Sequence, residues 1–390
     1  MVSHAWIKLW GETVGAVIWQ ASQQIATFEF DPSFIRKGLD LAPVQMPLAE
    51  LQGGSRIFSF PGLPQETFKG LPGLLADSLP DRFGNQVIDA WLARQGRSPA
   101  SFHPVERLCY TGRRGMGALE FEPARQTSSR NASFSVDLDA MVALVGEILS
   151  QREQLEVDLS EDPGDGLNDI LRVGTSAGGA RAKAILAIHD TSGKIRSGQV
   201  DAPKGYSHWM IKFDGVNNAT LSDPKGYGRI EYAYFLMATA AGIQMSPCKL
   251  LQEGGRAHFM TKRFDRNHNQ KLHMQTLCAI AHFDYNDPNS FAYEQAFQVM
   301  RQMRLPYPEA EQLYIRMIFN VIARNQDDHT KNISFLMDPK GKWTLSPAYD
   351  VTYAFDPNNK WLRRHQLSVN GKREGIILED LLAVAREMNI

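Results

Sequence analysis

The sequence feature that most constrains the fold is a run of eight polar residues between two apolar segments. The run Asn325–Asn332 has the sequence NQDDHTKN; it follows the apolar stretch YIRMIFNVIA and precedes ISFLM. The first apolar pattern predicts a helix and the second predicts a buried strand. A loop this polar, held between two elements that must be buried, is typical of a functional site on a rigid scaffold.

Two residues of this run have the D-x-x-x-x-N spacing of kinase catalytic loops, namely Asp327 and Asn332. In such loops the aspartate accepts the proton of the attacking hydroxyl, and the asparagine binds a metal ion. Asp350 follows in SPAYDV, beyond a predicted strand–turn–strand, where kinases carry a second metal-binding aspartate. Mg²⁺ prefers a few hard oxygen ligands plus phosphate oxygens, which suits Asn332 and Asp350. The alternative is that Asp327 and Asp328 only cap a loop.

Three upstream features follow the order that a kinase requires. The small-residue loop Ser176–Arg181 contains Gly178 and Gly179, which would let backbone N–H groups approach a phosphate, although a tight turn explains the loop equally well. Lys212 lies in the apolar strand WMIKF, where a solvent-facing lysine and a phosphate-pairing lysine fit the pattern equally. Glu231 opens a predicted helix, either as the partner of that lysine or as a favourable first-turn carboxylate.

Two further segments of the sequence resemble known motifs and have alternative interpretations. The segment MTKRF, Met260–Phe264, would be the hinge beside an adenine ring or an ordinary strand end. The segment Gly174–Gly178 matches the G-x-S-x-G elbow of serine hydrolases. That elbow needs a strand before the serine and a helix after it, whereas AILAI beyond Lys183 predicts a strand. A Walker A loop is absent, because no Gly-Lys-Ser/Thr follows the glycines.

The chain is predicted to be α+β, since strand-forming segments precede most of the helical ones. Strands are predicted over 184–188, 208–213, 333–337 and 343–345, with a hairpin over 248–261. Helices are predicted over 229–241, 291–303 and 308–324. The length of 390 residues suggests two to three domains.

Composition and charge exclude several classes of protein. Apolar residues make up 43% and charged residues 22%, which excludes a disordered or fibrous chain. Lysine plus arginine is 42 against 43 aspartate plus glutamate, so bulk charge does not favour nucleic-acid binding, although a local basic patch stays possible. Three scattered cysteines and no apolar stretch long enough to span a bilayer predict a cytoplasmic protein with no membrane partner.

These motifs together resemble the HipA-type toxins, the serine/threonine kinases of type II toxin–antitoxin systems. Asp327–Asn332 matches the family motif D-x-H-x-K-N, which is more specific than D-x-x-x-x-N. Further matches, in order along the chain, are TSAGGARAK, YGRIEYAYFLMA, HFMTKRFDR, LSPAYDV and LSVNGKR. The resemblance runs from Trp6 to about Glu387, nearly the whole chain.

The resemblance implies a role for each matched residue. A HipA-like protein binds ATP with Mg²⁺, with Asp327 as catalytic base and with Asn332 and Asp350 as metal ligands. The residues implied to bind the nucleotide are Ser176, Gly178, Gly179, Lys212, Lys262, Phe264, His329, Lys331 and Tyr349. Ser176 also matches the serine that the family autophosphorylates; about two added negative charges there would repel the phosphates of ATP.

The resemblance also implies a division of the chain. The fold would be protein-kinase-like, with a β-rich N-terminal lobe and an all-helical C-terminal lobe. Residues 1–125 would form a β-rich N-terminal subdomain, and residues 136–265 the nucleotide-binding part with the phosphate loop and hinge. Residues 266–390 would form the helical lobe with the catalytic loop and the metal-binding aspartate. Many relatives continue past the position of Ile390, so a short C-terminal lobe is expected.

The implied partners are a helix-turn-helix, HipB-like antitoxin and a protein substrate, an aminoacyl-tRNA synthetase in better-known members. Operator DNA would be contacted mainly through the antitoxin. The sequence departs from the family pattern at Lys262, where the prototype has an acidic residue. Two other functions stay open: a HipA-like binding module that acts as antitoxin co-repressor without turnover, and a small-molecule kinase of the same fold.

Overall fold

A computed structural model describes most of the chain. The described residues are 3–80, 84–85, 88–89, 92, 96–122, 182–198, 201–215, 226–253 and 255–390. The predicted phosphate loop with Ser176, Gly178 and Gly179 lies outside them. By the packing of the backbone the chain divides into two compact units. Unit 1 comprises residues 1–5, 78–232 and 247–271, and unit 2 comprises residues 6–77, 233–246 and 272–390.

Strands and helices alternate along the described chain. The strands are β1 His4–Leu9, β2 Glu12–Gln20, β3 Ile25–Phe30, β4 Ile57–Phe58, β5 Leu119–Glu122, β6 Lys183–His189, β7 Ile195–Ser197, β8 Tyr206–Lys212, β9 Cys248–Glu253, β10 Arg256–Lys262, β11 Arg266–Asn267, β12 Gln270–Lys271, β13 His273–Thr276, β14 Ser334–Met337 and β15 Trp343–Leu345. The helices are α1 Pro32–Ile35, α2 Leu48–Gln52, α3 Gln65–Phe68, α4 Gly73–Ala76, α5 Pro104–Thr111, α6 Tyr227–Ala240, α7 Leu277–Ala281, α8 Tyr293–Gln302, α9 Tyr307–Ile322 and α10 Leu378–Met388. The α+β class is confirmed.

Unit 1 is built on an antiparallel sheet with the strand order β7-β6-β8-β10-β9. Strand β6 is buried over six of its seven residues, because its apolar run AILAI lies between two neighbours. In the register, Lys212 at the end of β8 lies opposite Phe259 of β10 on one side and Lys183 of β6 on the other. The sheet therefore fixes Lys212 beside buried side chains.

Unit 2 contains an N-terminal antiparallel sheet and the segment that carries the polar run. In the N-terminal sheet, β2 pairs with β3, and β3 pairs with β4. Helix α4 packs closely on α7; a Cβ at Gly73 would lie 2.2 Å from the carbonyl oxygen of Ala279, so only glycine fits. This packing brings Asp77, which ends α4, beside Thr276, which caps α7.

The prediction of an all-helical C-terminal lobe is wrong in one respect. Residues 273–345 contain a three-stranded antiparallel sheet in the order β13-β14-β15, beside helices α7 to α9. All four residues of β14 are buried, which an apolar run achieves between two neighbouring strands. The polar run lies between α9 and the central strand of this sheet. The division into residues 1–125, 136–265 and 266–390 stays a prediction.

The length and apolar character of the helices bear on membrane insertion. Within the described residues, none of the helices is both long and apolar enough to cross a lipid bilayer.

Candidate functional site

The polar run of unit 2 is held at both ends. Helix α9 ends at Ile322, and Arg324 then takes a left-handed backbone with φ +54°. Asn325 forms a parallel bridge with Ala354, and the run closes in a 3₁₀ turn over Thr330–Asn332 before β14 begins. We call residues 325–332 the catalytic loop, after the role that their spacing predicts. Its backbone is therefore braced by a helix end, a bridge and a strand start.

Asp327 is the half-exposed aspartate of the loop. Its side chain is 45% exposed, and its Oδ1 lies 3.8 Å from Nε2 of His329. The backbone carbonyl of Asp327 accepts a hydrogen bond of 2.7 Å from Nδ2 of Asn332. The carboxylate is thus accessible while the main chain beneath it is fixed, which is the arrangement that a general base needs.

Asp328 is buried, with 3% of its surface exposed. Its Oδ2 accepts hydrogen bonds of 2.9 Å from the hydroxyl of Tyr293 and 2.9 Å from Nδ1 of His365, and its Oδ1 accepts one of 2.7 Å from the backbone N–H of Gln366. Burial, followed by the charge of Asp328, raises the pKa of Tyr293 well above its usual value. The two adjacent aspartates therefore have different roles, and Asp328 anchors the loop.

Asn332 and Asp350 are the two residues predicted to bind a metal ion. Since Nδ2 of Asn332 is engaged by Asp327, its Oδ1 is the atom of the amide suited to a cation. Asp350 follows β15 and has a left-handed backbone with φ +54°. Across the described ranges, no group of three or more His, Cys, Asp or Glu could hold a metal ion. One carboxylate and one amide oxygen fit Mg²⁺, which keeps several waters and takes the rest of its ligands from phosphate.

His329 and Lys331 lie against aromatic side chains. The ring of His329 lies 5.6 Å from that of Tyr285, and Nζ of Lys331 lies 4.5 Å from the centre of the same ring. The carbonyl of Lys331 accepts a hydrogen bond of 2.6 Å from the hydroxyl of Tyr349. Burial raises the pKa of Tyr349, so the phenol stays protonated and donates. The structure thus brings four predicted residues, Asp327, His329, Asn332 and Lys331, into one loop fixed by Tyr349.

Asp77 faces this loop and was missed by the sequence analysis. Its carboxylate accepts hydrogen bonds of 2.6 Å and 2.9 Å from the backbone and hydroxyl of Thr276. Burial raises the pKa of Asp77, and the positive charge of Lys331 opposes that rise. The carboxyl group of Asp77 therefore lies within electrostatic reach of Lys331.

The predicted lysine–glutamate pair is present in unit 1. Nζ of Lys212 lies 2.6 Å from Oε1 of Glu231, and the two side chains are 13% and 3% exposed. Cys248 lies in the field of both charges, and burial raises its pKa to about 11, so the thiol is neutral. Lys212 is therefore a partly buried cation held by Glu231 rather than a solvent-facing residue of the strand.

The predicted hinge ends strand β10. Lys262 lies opposite Trp209 in the register, and its N–H donates to the carbonyl of Pro247 at 2.9 Å. Beyond Phe264, Asp265 is fully buried between two guanidinium groups, with Arg263 at 2.6 Å and Arg266 at 2.7 Å. Burial alone would raise the pKa of Asp265, but the two arginine charges hold it far below its usual range. This cluster fixes the residues around Phe264, and no sequence pattern pointed to it.

A half-buried histidine close to the loop is expected to make stability depend on pH. Nε2 of His282 accepts a hydrogen bond of 3.0 Å from the N–H of Gly73, and its ring packs on Phe60 and Phe68. Burial lowers the pKa of His282 to about 4. An unfolded histidine has a pKa of about 6.5, so between these values the unfolded chain binds the extra proton.

The free energy of unfolding should therefore decrease as pH falls from about 6.5 to about 4. We expect the His282→Asn variant to lose less stability over that window, since asparagine tolerates the left-handed backbone at φ +57°. Urea unfolding of both proteins across the window measures the difference. Equal pH dependence in the two proteins would contradict this assignment.

Two family models match the sequence. Residues 5–122 match the family model of the HipA N-terminal domain, and residues 175–389 match that of the HipA-like C-terminal domain. The chain therefore belongs to the HipA family.

The relatives found are distant. A putative kinase Y4mE of Sinorhizobium fredii is 26% identical over 136 residues, which is 32% of each chain, so the match spans about a third of that relative's length. The structure is similar to HipA of Shewanella oneidensis, solved with HipB and its operator DNA, with a TM-score of 0.66, 16% identity, and coverage of 99% of this chain and 85% of that one. A proinflammatory kinase, CtkA, of Helicobacter pylori gives a TM-score of 0.32 at 13% identity, covering 47% of this chain and 74% of that one. The similarity to HipA of Shewanella oneidensis confirms the HipA-like fold.

Proposed function

We propose that the protein is an ATP-dependent kinase that transfers the γ-phosphoryl group to a serine or threonine hydroxyl of a protein. The observation that carries this proposal is that the two adjacent aspartates of the catalytic loop differ in burial and in hydrogen bonding. Asp328 is buried and anchors the loop. The carboxylate of Asp327 is half-exposed, and the backbone carbonyl of the same residue accepts a hydrogen bond from Asn332. Asp327 would accept the proton of the attacking hydroxyl at its carboxylate, as a positioned general base does.

The second support comes from unit 1. A buried glutamate that holds a lysine ammonium in one orientation is a recurring part of protein kinases, where the lysine contacts phosphates. Lys212 and Glu231 form such a pair at 2.6 Å. Lys212 would bind the phosphates of ATP, with Lys262 and Phe264 near the adenine and with His329, Lys331 and Tyr349 on the phosphate side.

A divalent cation completes the proposed chemistry. Asn332 and Asp350 would hold Mg²⁺, which would neutralise negative charge that develops on the phosphates. The residues of the chain perform the other tasks: Tyr349 fixes the main chain at Lys331, and Asp77 lies within electrostatic reach of Lys331.

The biological role is proposed from the family. As a HipA-type toxin, the protein would be neutralised by a HipB-like antitoxin, and that complex would contact operator DNA. An aminoacyl-tRNA synthetase is the proposed substrate. Autophosphorylation at Ser176 would add about two negative charges beside the phosphates and switch the kinase off.

The test is incubation of the purified chain with γ-labelled ATP and Mg²⁺. We expect label on Ser176 of the wild type, no label at that site in Ser176→Ala, and no transfer after chelation of the metal. Phosphopeptide mapping by mass spectrometry identifies the position. If the wild type binds ATP but transfers no label to itself or to any acceptor protein, the proposed kinase activity is refuted.

A further inference from the structure

The aromatic ring of Tyr285 lies against two side chains of the catalytic loop. Nζ of Lys331 lies 4.5 Å from the centre of this ring, and the ring of His329 lies 5.6 Å from it at an angle of 56°. Tyr285 lies outside the motifs that match the family. The negative face of an aromatic ring attracts an ammonium group within about 6 Å, more strongly where water is partly excluded, and Tyr285 is half-buried. The ring therefore favours one position of the charged end of Lys331.

The segment that carries this ring is bonded to the catalytic loop. Thr330, which separates His329 from Lys331, is buried, and its hydroxyl donates a hydrogen bond of 2.9 Å to the carbonyl of Phe283. We call residues 283–286 the strap. Because the bond from Thr330 lies between the two residues that contact the aromatic ring, the strap and the loop are joined at the point where the ring acts.

The strap is also held by Thr67. This residue is buried, and its hydroxyl donates to Oδ1 of Asp284 and accepts a hydrogen bond of 2.8 Å from Nδ2 of Asn286. The backbone N–H of Asn286 donates to the same carboxylate oxygen at 2.9 Å. Both sequence neighbours of Tyr285 are therefore bonded to one hydroxyl group, which fixes the backbone that carries the ring.

The residues just before the strap are bonded to the same N-terminal stretch. Nε2 of Gln45 donates to the carbonyl of Ala281 at 3.1 Å, and the N–H of Gly73 donates to His282 at 3.0 Å. All of these residues belong to unit 2. The N-terminal stretch that contains Gln45 and Gly73 therefore determines where the strap lies.

We propose that Tyr285 is a positioning residue of the phosphoryl transfer, whose ring orients the ammonium of Lys331 and the imidazole of His329 toward the phosphates of ATP. Thr67 sets the position of the ring by holding the strap. The inference rests on the proposed kinase function and adds to it two residues that act through others. Thr67 lies in the part of the chain that matches the HipA N-terminal domain, and the catalytic loop lies in the part that matches the C-terminal domain. The N-terminal domain thereby gains a part in catalysis.

The first test replaces Tyr285 by leucine, which keeps an apolar contact and removes the ring. The value of kcat/KM for ATP should fall about tenfold, the size expected for loss of a partly desolvated contact between a cation and a ring. Tyr285→Phe keeps the ring face and should retain most of the activity that leucine loses. Tyr307→Leu, the same change at a tyrosine that is 53% exposed at the start of α9, is the matched control and should keep the wild-type activity.

A series of fluorinated phenylalanines at position 285 separates positioning from packing. Each added fluorine weakens the negative face of the ring and hardly changes its size, so kcat/KM should fall stepwise, by about tenfold in total from phenylalanine to the trifluorinated ring. The free energy of unfolding, measured in urea, should be the same throughout the series. Rates that do not follow the number of fluorines would show a role in packing alone and overturn the proposal.

Thr67→Val tests the link through the strap, because valine keeps the shape of the side chain and removes its hydroxyl. This change should lower kcat/KM about fivefold in the wild type and change it little in Tyr285→Leu, since the effect of Thr67 is transmitted by the ring. Losses that multiply in the double variant would show that Thr67 acts independently of Tyr285, and the proposed role of Thr67 would be wrong.

Binding of ATP with Mg²⁺, measured by isothermal titration calorimetry on the same proteins, separates this inference from the kinase activity. The affinity for ATP should also fall along the fluorine series. If it falls but the wild type transfers no phosphoryl group, the kinase is wrong and the role of Tyr285 stands. If transfer is equally fast in the wild type and in Tyr285→Leu, the role of Tyr285 is wrong and the kinase stands. If the wild type neither binds ATP nor transfers label, both are overturned.

Discussion

Replacing Asp327 by asparagine is expected to lower phosphoryl transfer by about 10²- to 10⁴-fold, the usual contribution of a positioned general base. The structural contact of this residue is made by its backbone carbonyl, which accepts from Asn332, and asparagine keeps that carbonyl. The carboxylate itself is 45% exposed and contacts His329 only at 3.8 Å. Its removal should therefore lower the rate of phosphoryl transfer. The free energy of unfolding should stay within about 0.5 kcal/mol of the wild type.

The measurement is initial-rate transfer of label from ATP, together with urea unfolding of the same preparations. Glu379→Gln is the matched control, since it neutralises an exposed carboxylate in the first turn of α10 in the same unit. That variant should keep the activity of the wild type. Full activity in Asp327→Asn would show that this carboxylate is not the base.

The fold could be predicted from sequence where the signal is local. The hairpin of β9 and β10 follows from two apolar runs around a glycine turn, and β15 has the predicted bounds Trp343–Leu345. The ends of α9 lie within a few residues of the prediction because Pro306 precedes the helix and the polar run follows it. Each of these elements is determined by residues that are neighbours in the chain.

Strand β13 of the three-stranded sheet of unit 2 was not predicted, because its pairing with β14 is non-local. Strand β13 has the sequence HMQT, which shows no apolar alternation, yet it pairs with β14 through Met274 opposite Leu336. About sixty residues separate the partners, and tertiary packing overrides the weak local propensity. The all-helical lobe was implied by the family resemblance, whereas the residue pattern itself predicted two of the three strands, β14 and β15.

The residues of the candidate site could be predicted from their spacing along the chain. The side chains that surround them in the fold could not. The D-x-x-x-x-N spacing pointed to Asp327 and Asn332, and the lysine within an apolar strand pointed to Lys212. The spacing selected Asp327, but no pattern showed that its neighbour Asp328 is buried and anchors the loop. Asp77 lies about 250 positions before Lys331 in the sequence, so only the packing of α4 on α7 shows that they interact.

Replacing Asp328 by asparagine is expected to have the opposite outcome to the same change at Asp327. The buried carboxylate accepts three hydrogen bonds, and an amide would turn an N–H₂ group toward one of those donors. Breaking one side of a buried charged network costs about 3–5 kcal/mol. The same network continues from Tyr293 to Asn320, which donates to its hydroxyl, so the damage should reach α8 and α9.

Urea unfolding of Asp328→Asn and Tyr293→Phe measures this cost. The phenylalanine variant removes a single donor and should lose only about 1 kcal/mol. Because Asp328 and Tyr293 are in contact, the double variant should lose less than the sum of the two single losses. If Asp328→Asn is stable but inactive while Asp327→Asn is active, the proposed assignment is wrong. Asp328 would then be the general base instead of Asp327.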